Sequence, residues 1–155
     1  MIITTRTDAK NGDFLELVKL LDAELAIRDG EDHGFYDQFN KVELINCVVV
    51  AYGNEIPLAC GAMKIVDAKT MEIKRMYVIP ASRGKGVAIK ILSELEAWAK
   101  ELDCEKCILE TGKRQPEAIK LYLKSGYKRI ANYGQYIDVE NSLCFEKEII
   151  INSEK

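Results

Sequence analysis

Met71-Glu-Ile-Lys-Arg-Met-Tyr-Val-Ile-Pro80-Ala-Ser-Arg-Gly-Lys-Gly-Val-Ala88 joins an extended run, a stop, a basic glycine-bearing turn and the start of an amphipathic segment. Residues 70–79 read as a strand with a fault. Met71 and Ile73 are apolar at odd positions, but beyond Lys74 and Arg75 the cleaner apolar pair is Met76 and Val78. A one-residue slip in a period-2 pattern predicts a β-bulge, which bends the strand away from a neighbour. Past Pro80, a helix is predicted from about Gly84 to Leu102, with Ile91, Leu92, Leu95, Trp98 and Ala99 on one face. Glu96 and Lys100 are expected to pair on its solvent side.

A strand, a turn and a helix in this order gather backbone N–H groups at a positive helix terminus, which is an anion site. Gly84 and Gly86 let the backbone approach a phosphate closely, and Arg83 and Lys85 add mobile positive charge. The P-loop pattern is absent, and the dinucleotide pattern Gly-x-Gly-x-x-Gly is interrupted at Ile89.

Outward from this segment, residues 2–7 read as an edge strand. Residues 13–28 read as a helix through Phe14, Leu17, Val18, Leu21 and Leu25. Gly30 to Lys41 reads as a loop with a short helix. Residues 46–53 and 57–67 form β-type runs joined at Gly53-Asn54-Glu55. Further on come a buried strand at 106–111, a helix at 116–125 with Pro116 in its first turn and Gly126 at its C-cap, and strands near 127–131 and 143–151. The order β-α-β-β-β-α-β-α-β-β predicts an α/β fold of α+β type, a mixed central sheet with helices on both faces.

The 155 residues are 48% hydrophobic and 30% charged, which fits one domain over residues 1–155. A net charge of -3, from 22 basic and 25 acidic side chains spread along the chain, provides no footprint for nucleic acid. The sequence shows neither a secretory signal nor an apolar run long enough for a membrane, so a soluble cytoplasmic protein is expected. Five irregularly spaced cysteines point to reduced thiols, and Cys104-Glu-Lys-Cys107 lacks the second ligand pair of a zinc site.

Arg83-x-x-Gly86-x-Ala88 resembles the Arg/Gln-x-x-Gly-x-Gly/Ala element of the GNAT superfamily of acyl-CoA-dependent N-acetyltransferases. The strand ahead of it resembles the family's central strand, and Ala118-Ile119-x-Leu121-Tyr122-x-x-x-Gly126-Tyr127 resembles its second signature. The likeness covers residues 56–131 well, the last strands fairly and the first 45 residues only by pattern. Ala88 stands where many members have Gly, and Gln115 near the place where many have Asn.

The resemblance implies the GNAT acyl-CoA acyltransferase fold and direct acetyl transfer from acetyl-CoA to a primary amine of a small metabolite or amino acid, with no metal. It assigns the pantetheine arm to backbone groups of Met76, Tyr77 and Val78. The pyrophosphate falls to Arg83, Gly84, Lys85, Gly86, Val87 and Ala88, with Gln115 a further cofactor contact. Tyr122 matches the family's Tyr near the sulfur, although the stripe of Ala118, Ile119, Tyr122 and Leu123 also suits a core tyrosine. Glu72 is the first candidate base and Glu110 the second, and either could be a surface carboxylate. The acceptor pocket would draw on Glu24, Arg28, His33, Tyr36, Tyr133 and Tyr136, with His33 equally at home as an exposed loop residue. A homodimer fits such small domains. A non-catalytic acyl-CoA-binding or sensing module is the alternative function.

Overall fold

The computed structural model describes residues 1–29 and 47–149. Seven strands form one sheet in the order β1-β2-β3-β4-β5-β7-β6. They are β1 (Ile2–Thr7), β2 (Cys47–Gly53), β3 (Ile56–Asp67), β4 (Thr70–Val78), β5 (Lys106–Gly112), β6 (Lys128–Ile130) and β7 (Ser142–Glu148). Three helices cover it: α1 (Gly12–Asp29), α2 (Val87–Glu101) and α3 (Pro116–Lys124). Every pairing is antiparallel except β4 with β5, because α2 carries the chain back across the sheet between them.

Two apolar layers hold the sheet from opposite faces. Phe14, Leu17, Val18 and Leu21 of α1 pack on Val48, Val50, Cys60, Ala62 and Tyr77. On the other face, Ile91, Leu92, Leu95 and Ala99 of α2 and Tyr122 of α3 pack on Val49, Met63, Met71, Ile73, Leu109 and Phe145. Helix α1 begins where Asn11 Oδ1 accepts the Phe14 N–H at 2.9 Å, a side-chain N-cap. The β2–β3 hairpin turns at Asn54 and Glu55, both at positive φ, as a two-residue hairpin requires when both central residues are left-handed.

The structure differs from expectation in three places. Helix α2 starts at Val87 rather than near Gly84, because Gly84 and Gly86 both sit at positive φ and cannot continue a right-handed helix. Glu96 does not pair with Lys100; it accepts Tyr127 Oη and Lys147 Nζ, each at 2.9 Å. Strand β6 is only three residues long. All five cysteines are buried and unpaired, and no described helix is long and apolar enough to cross a membrane.

Candidate active site

Strands β4 and β5 stay paired for only three residues, from Thr70–Lys106 to Glu72–Ile108. Cys60 then opposes Tyr77 while Ala62 opposes Lys74, so Arg75 and Met76 together face Gly61. This two-against-one step is the bulge expected from the slipped pattern. Arg75 takes φ +59°, a left-handed conformation that costs a non-glycine residue about 1–2 kcal/mol. Its Nη1 donates to Asp22 Oδ1 of α1 at 2.7 Å, which ties the bulge down. Gly61 makes room for it: a Cβ there would lie 2.6 Å from both Ile91 Cγ2 and Met76 Sδ. From Glu72 onward, just ahead of the bulge, β4 and β5 part around a cavity of about 110 Å³ lined by Glu72, Lys74, Met76, Glu110, Gln115, Tyr122 and Tyr136, among others.

At one end of the cleft, a 3₁₀ turn at Pro80–Ser82 leads into Gly84 (φ +78°) and Gly86 (φ +79°), the N-cap of α2. The first-turn amides of a helix have no intrahelical acceptor. Here no side chain caps them and no acidic residue lies in the first turn. A Cβ on either glycine would meet nothing within 4 Å, so the space beside the turn is open. Lys85 is exposed beside them. Arg83, expected as a mobile cation, is instead anchored. Its Nε donates to the Val78 carbonyl at 2.8 Å, its Nη2 donates to Glu24 Oε1 at 2.8 Å, and its guanidinium lies 5.5 Å from the centre of the Tyr77 ring.

Tyr122 stands opposite, fixed by the way α3 ends. The Gly126 N–H reaches the Leu123 carbonyl and the Tyr127 N–H reaches the Tyr122 carbonyl, a Schellman closure. That closure brings the Tyr127 ring edge-on to Tyr122 at 5.8 Å, and Phe145 approaches it at 6.3 Å. Burial, and then the charge of Glu110, raise the Tyr122 pKa, so the hydroxyl keeps its proton at neutral pH. The ring of Tyr122 belongs to the core and also lines the cavity. Gln115 caps α3 at the same wall, its N–H donating to the Gly112 carbonyl at 3.1 Å.

The remaining wall is polar. Glu72, 4% exposed, accepts Tyr133 Oη at 2.8 Å, and Lys64 Nζ lies 3.8 Å from its other oxygen. Glu110 accepts Ser142 Oγ at 2.6 Å. Tyr133 and Tyr136 meet edge-on at 5.9 Å, and burial raises both hydroxyl pKa values. Asn132 holds this loop shut, its Nδ2 donating to the carbonyls of Tyr136, Val139 and Ser142 at 3.0–3.2 Å.

Glu72, Glu110, Tyr122, Gln115, Met76 and Tyr136 are therefore brought to one cleft, with Tyr133 bonded to Glu72. Tyr77 packs toward α1, and the Val78 carbonyl is taken by Arg83. Glu24 and Arg28 pair with each other, with Arg83 and with Glu117 at the cleft's rim. His33 and Tyr36 lie outside the described residues. Two residues passed over in the sequence also belong here, Lys74 and Asn132. The period-2 argument that selects Glu72 selects Lys74 too, whereas the acceptors of Asn132 are carbonyls that no local pattern reveals.

Cys104 and Cys107 are buried thiols, and burial pushes Cys107 up to about 12. No group of three or more His, Cys, Asp or Glu among the described residues could hold a metal ion.

Residues 14–127 match the acetyltransferase (GNAT) family model. An IAA acetyltransferase of Azospirillum brasilense is 32% identical over 102 residues, which are 65% of this chain and 67% of that protein. Two further curated relatives are matched over 50% and 65% of their own length. A Klebsiella pneumoniae protein assigned as an acyl-CoA N-acyltransferase superposes with a TM-score of 0.81 at 26% identity, over 97% of this chain and 99% of that one. An Elizabethkingia anophelis GNAT acetyltransferase, solved with acetyl-CoA bound, shares the fold with a TM-score of 0.70 at 18% identity, over 95% and 97% of the two chains. The bulged strand, the glycine turn and the Tyr122 helix all lie within the matched residues, and the chain belongs to the GNAT acetyltransferase family.

Proposed function

We propose that the protein transfers an acetyl group from acetyl-CoA directly to a primary amine of a small metabolite or amino acid. The observation that carries this reading is the parting of β4 from β5 past Glu72, followed at once by the Arg75 bulge, with uncapped helix-terminal amides beyond the end of β4 and Tyr122 and two carboxylates along the walls. The donor fits the chain: two left-handed glycines with open space above them suit a pyrophosphate, and unpaired strand edges suit the amide-bearing pantetheine arm. Gly84 to Ala88 and Lys85 would hold the phosphates, backbone groups of Met76, Tyr77 and Val78 the arm, and Gln115 its far side. Arg83 would serve this site as a brace across Val78 and Glu24.

The acceptor nitrogen attacks the thioester carbonyl; the C–N bond forms and the C–S bond breaks. Glu72, directly or through water, takes the proton the amine sheds, with Glu110 as second candidate. Tyr122 gives its proton to the departing thiolate, and a backbone N–H of β4 stabilises charge on the carbonyl oxygen. The test is free-thiol release with acetyl-CoA and an amine panel. Tyr122→Phe should lower kcat about 100-fold while acetyl-CoA affinity holds. Acetyl-CoA binding without transfer to any amine would instead favour the sensing module.

A further inference from the structure

Lys74 has no part in the mechanism above, yet it is buried in the wall of the same cleft. It is 8% exposed and lines the cavity between Glu72 and Arg75. No carboxylate among the described residues comes within ion-pair distance of its Nζ. Glu72 and Glu110 act on it only from a distance, and an ammonium largely withdrawn from water without a direct ion pair is costly, so a ligand can supply the contact the protein does not.

We propose that the acceptor carries an acidic group beside its amine, as an amino acid does, and that Lys74 holds this acid while Glu72 or Glu110 faces the amine. The inference rests on the acetyl-transfer reading and narrows its acceptor.

The charges around the cavity support a ligand bearing both signs. Among the described residues, the charged side chains that line the cavity are Glu72, Glu110, Lys74 and Arg75, two of each sign, with Lys64 beside Glu72 and Arg75 already committed to Asp22. A simple amine would add unbalanced positive charge beside a buried ammonium. A zwitterion adds none, and it gives each end a partner of opposite sign. The spacing agrees: Glu72 and Lys74 lie two residues apart on β4 and alternate with Met71 and Ile73 of the core, so their Cα atoms are about 6.6 Å apart on one face. That span suits an ammonium and a carboxylate borne by one carbon, each hydrogen-bonded to one of the pair. Desolvation draws the Lys74 pKa down, opposed by Glu72 and Glu110 and assisted by Lys64 and Arg75, so an arriving carboxylate restores a charge that burial disfavours.

The test uses L-amino acids, their carboxamides and the corresponding decarboxylated amines, with free thiol as readout. The amide series is a stringent control, because removing the carboxylate makes the amine less basic and more available for attack. Wild type should prefer the acids. Lys74→Met should raise the acid KM and lower kcat/KM about 10- to 100-fold, collapsing the acid-to-amide preference to about one, while the acetyl-CoA KM is retained. Lys74→Arg should keep the preference. A wild type that acetylates amides or simple amines but not acids would overturn the inference and leave the acetyl-transfer reading intact. An equal loss on acids and amides in Lys74→Met would also overturn it, assigning Lys74 to proton transfer or folding. Acetyl-CoA binding with no transfer to any member would remove the transfer reading and this inference together.

Discussion

On the side of the cleft toward α2, the proposed donor surface is main chain: amides at Gly84 to Ala88 and the β4 edge that β5 leaves unpaired past Glu72. On the side toward β7 it is side chain, with Glu72 and Lys74 from β4, Glu110 from β5, Ser142 from β7 and Tyr133 and Tyr136 from a loop. Both sides share β4, and the bulge is the hinge between them. The difference teaches how one fold keeps a donor and changes its acceptor. A surface made of amides depends on backbone conformation and tolerates most side-chain changes except at its glycines. A surface made of converging carboxylates, hydroxyls and an ammonium is rewritten by single substitutions.

The sharpest way to break this division is to change a side chain on the acceptor wall and look for an effect on the donor. Glu72→Gln keeps the Tyr133 hydrogen bond and removes the basic oxygen. It should lower kcat by about 10²–10⁴ with acetyl-CoA affinity unmoved, and Glu110→Gln should cost less. Steady-state kinetics beside calorimetric titration of acetyl-CoA separates the two quantities. A larger loss for Glu110→Gln would move the base to β5.

The converse change is Gly86→Val. Valine at φ +79° is strained, by at least the 1–2 kcal/mol typical of a left-handed residue, although no neighbour obstructs its Cβ. Acetyl-CoA affinity should fall about tenfold or more, while kcat at saturating donor changes little. Unchanged affinity would put the phosphates elsewhere and erase the main-chain half of the comparison.

The same division decides what could be read before the fold was seen. The bulge, the glycine turn and the Tyr122 helix are local: each is a phase slip, a turn or a stripe within a dozen residues. Even so, the turn misled at its edge, because two left-handed glycines flanking Lys85 delay α2 to Val87. The proposed acceptor wall is assembled from residues up to 70 apart in sequence, Glu72 to Ser142, and no periodicity joins them. Glu96 shows the limit plainly: helical spacing offers Lys100, but the fold brings Tyr127 and Lys147 closer.

Asn132→Ala probes whether the loop's shape, rather than its chemistry, sets the acceptor site. One amide nitrogen serves three part-buried carbonyls, so its loss takes a donor from each, although those of Tyr136 and Val139 keep the N–H groups of Val139 and Ser142. Stability should fall by about 1–3 kcal/mol in denaturant titration, and the acceptor KM should rise a few-fold with the acetyl-CoA KM unchanged. A rise in both KM values would mean that the loop supports β4 as well.

The smallest effect is expected where the two sides are bridged from outside. Arg28 Nη2 donates to Glu117 Oε1 at 2.7 Å, linking α1 to the first turn of α3 across the rim, and Arg28 also holds the Glu117 carboxyl below its ordinary pKa. A depressed carboxyl pKa stabilises the fold above the ordinary carboxylate range and loses that contribution as pH falls through the folded value. Glu117 is exposed, so water and salt screen most of it, and pairs of this kind are worth about 0–1 kcal/mol. Glu117→Gln should therefore shift the unfolding midpoint by no more than that, only above the carboxylate range, and should leave both KM values alone. A change in acceptor KM without a change in stability would show that the bridge shapes the mouth, making α1 a third contributor to acceptor choice.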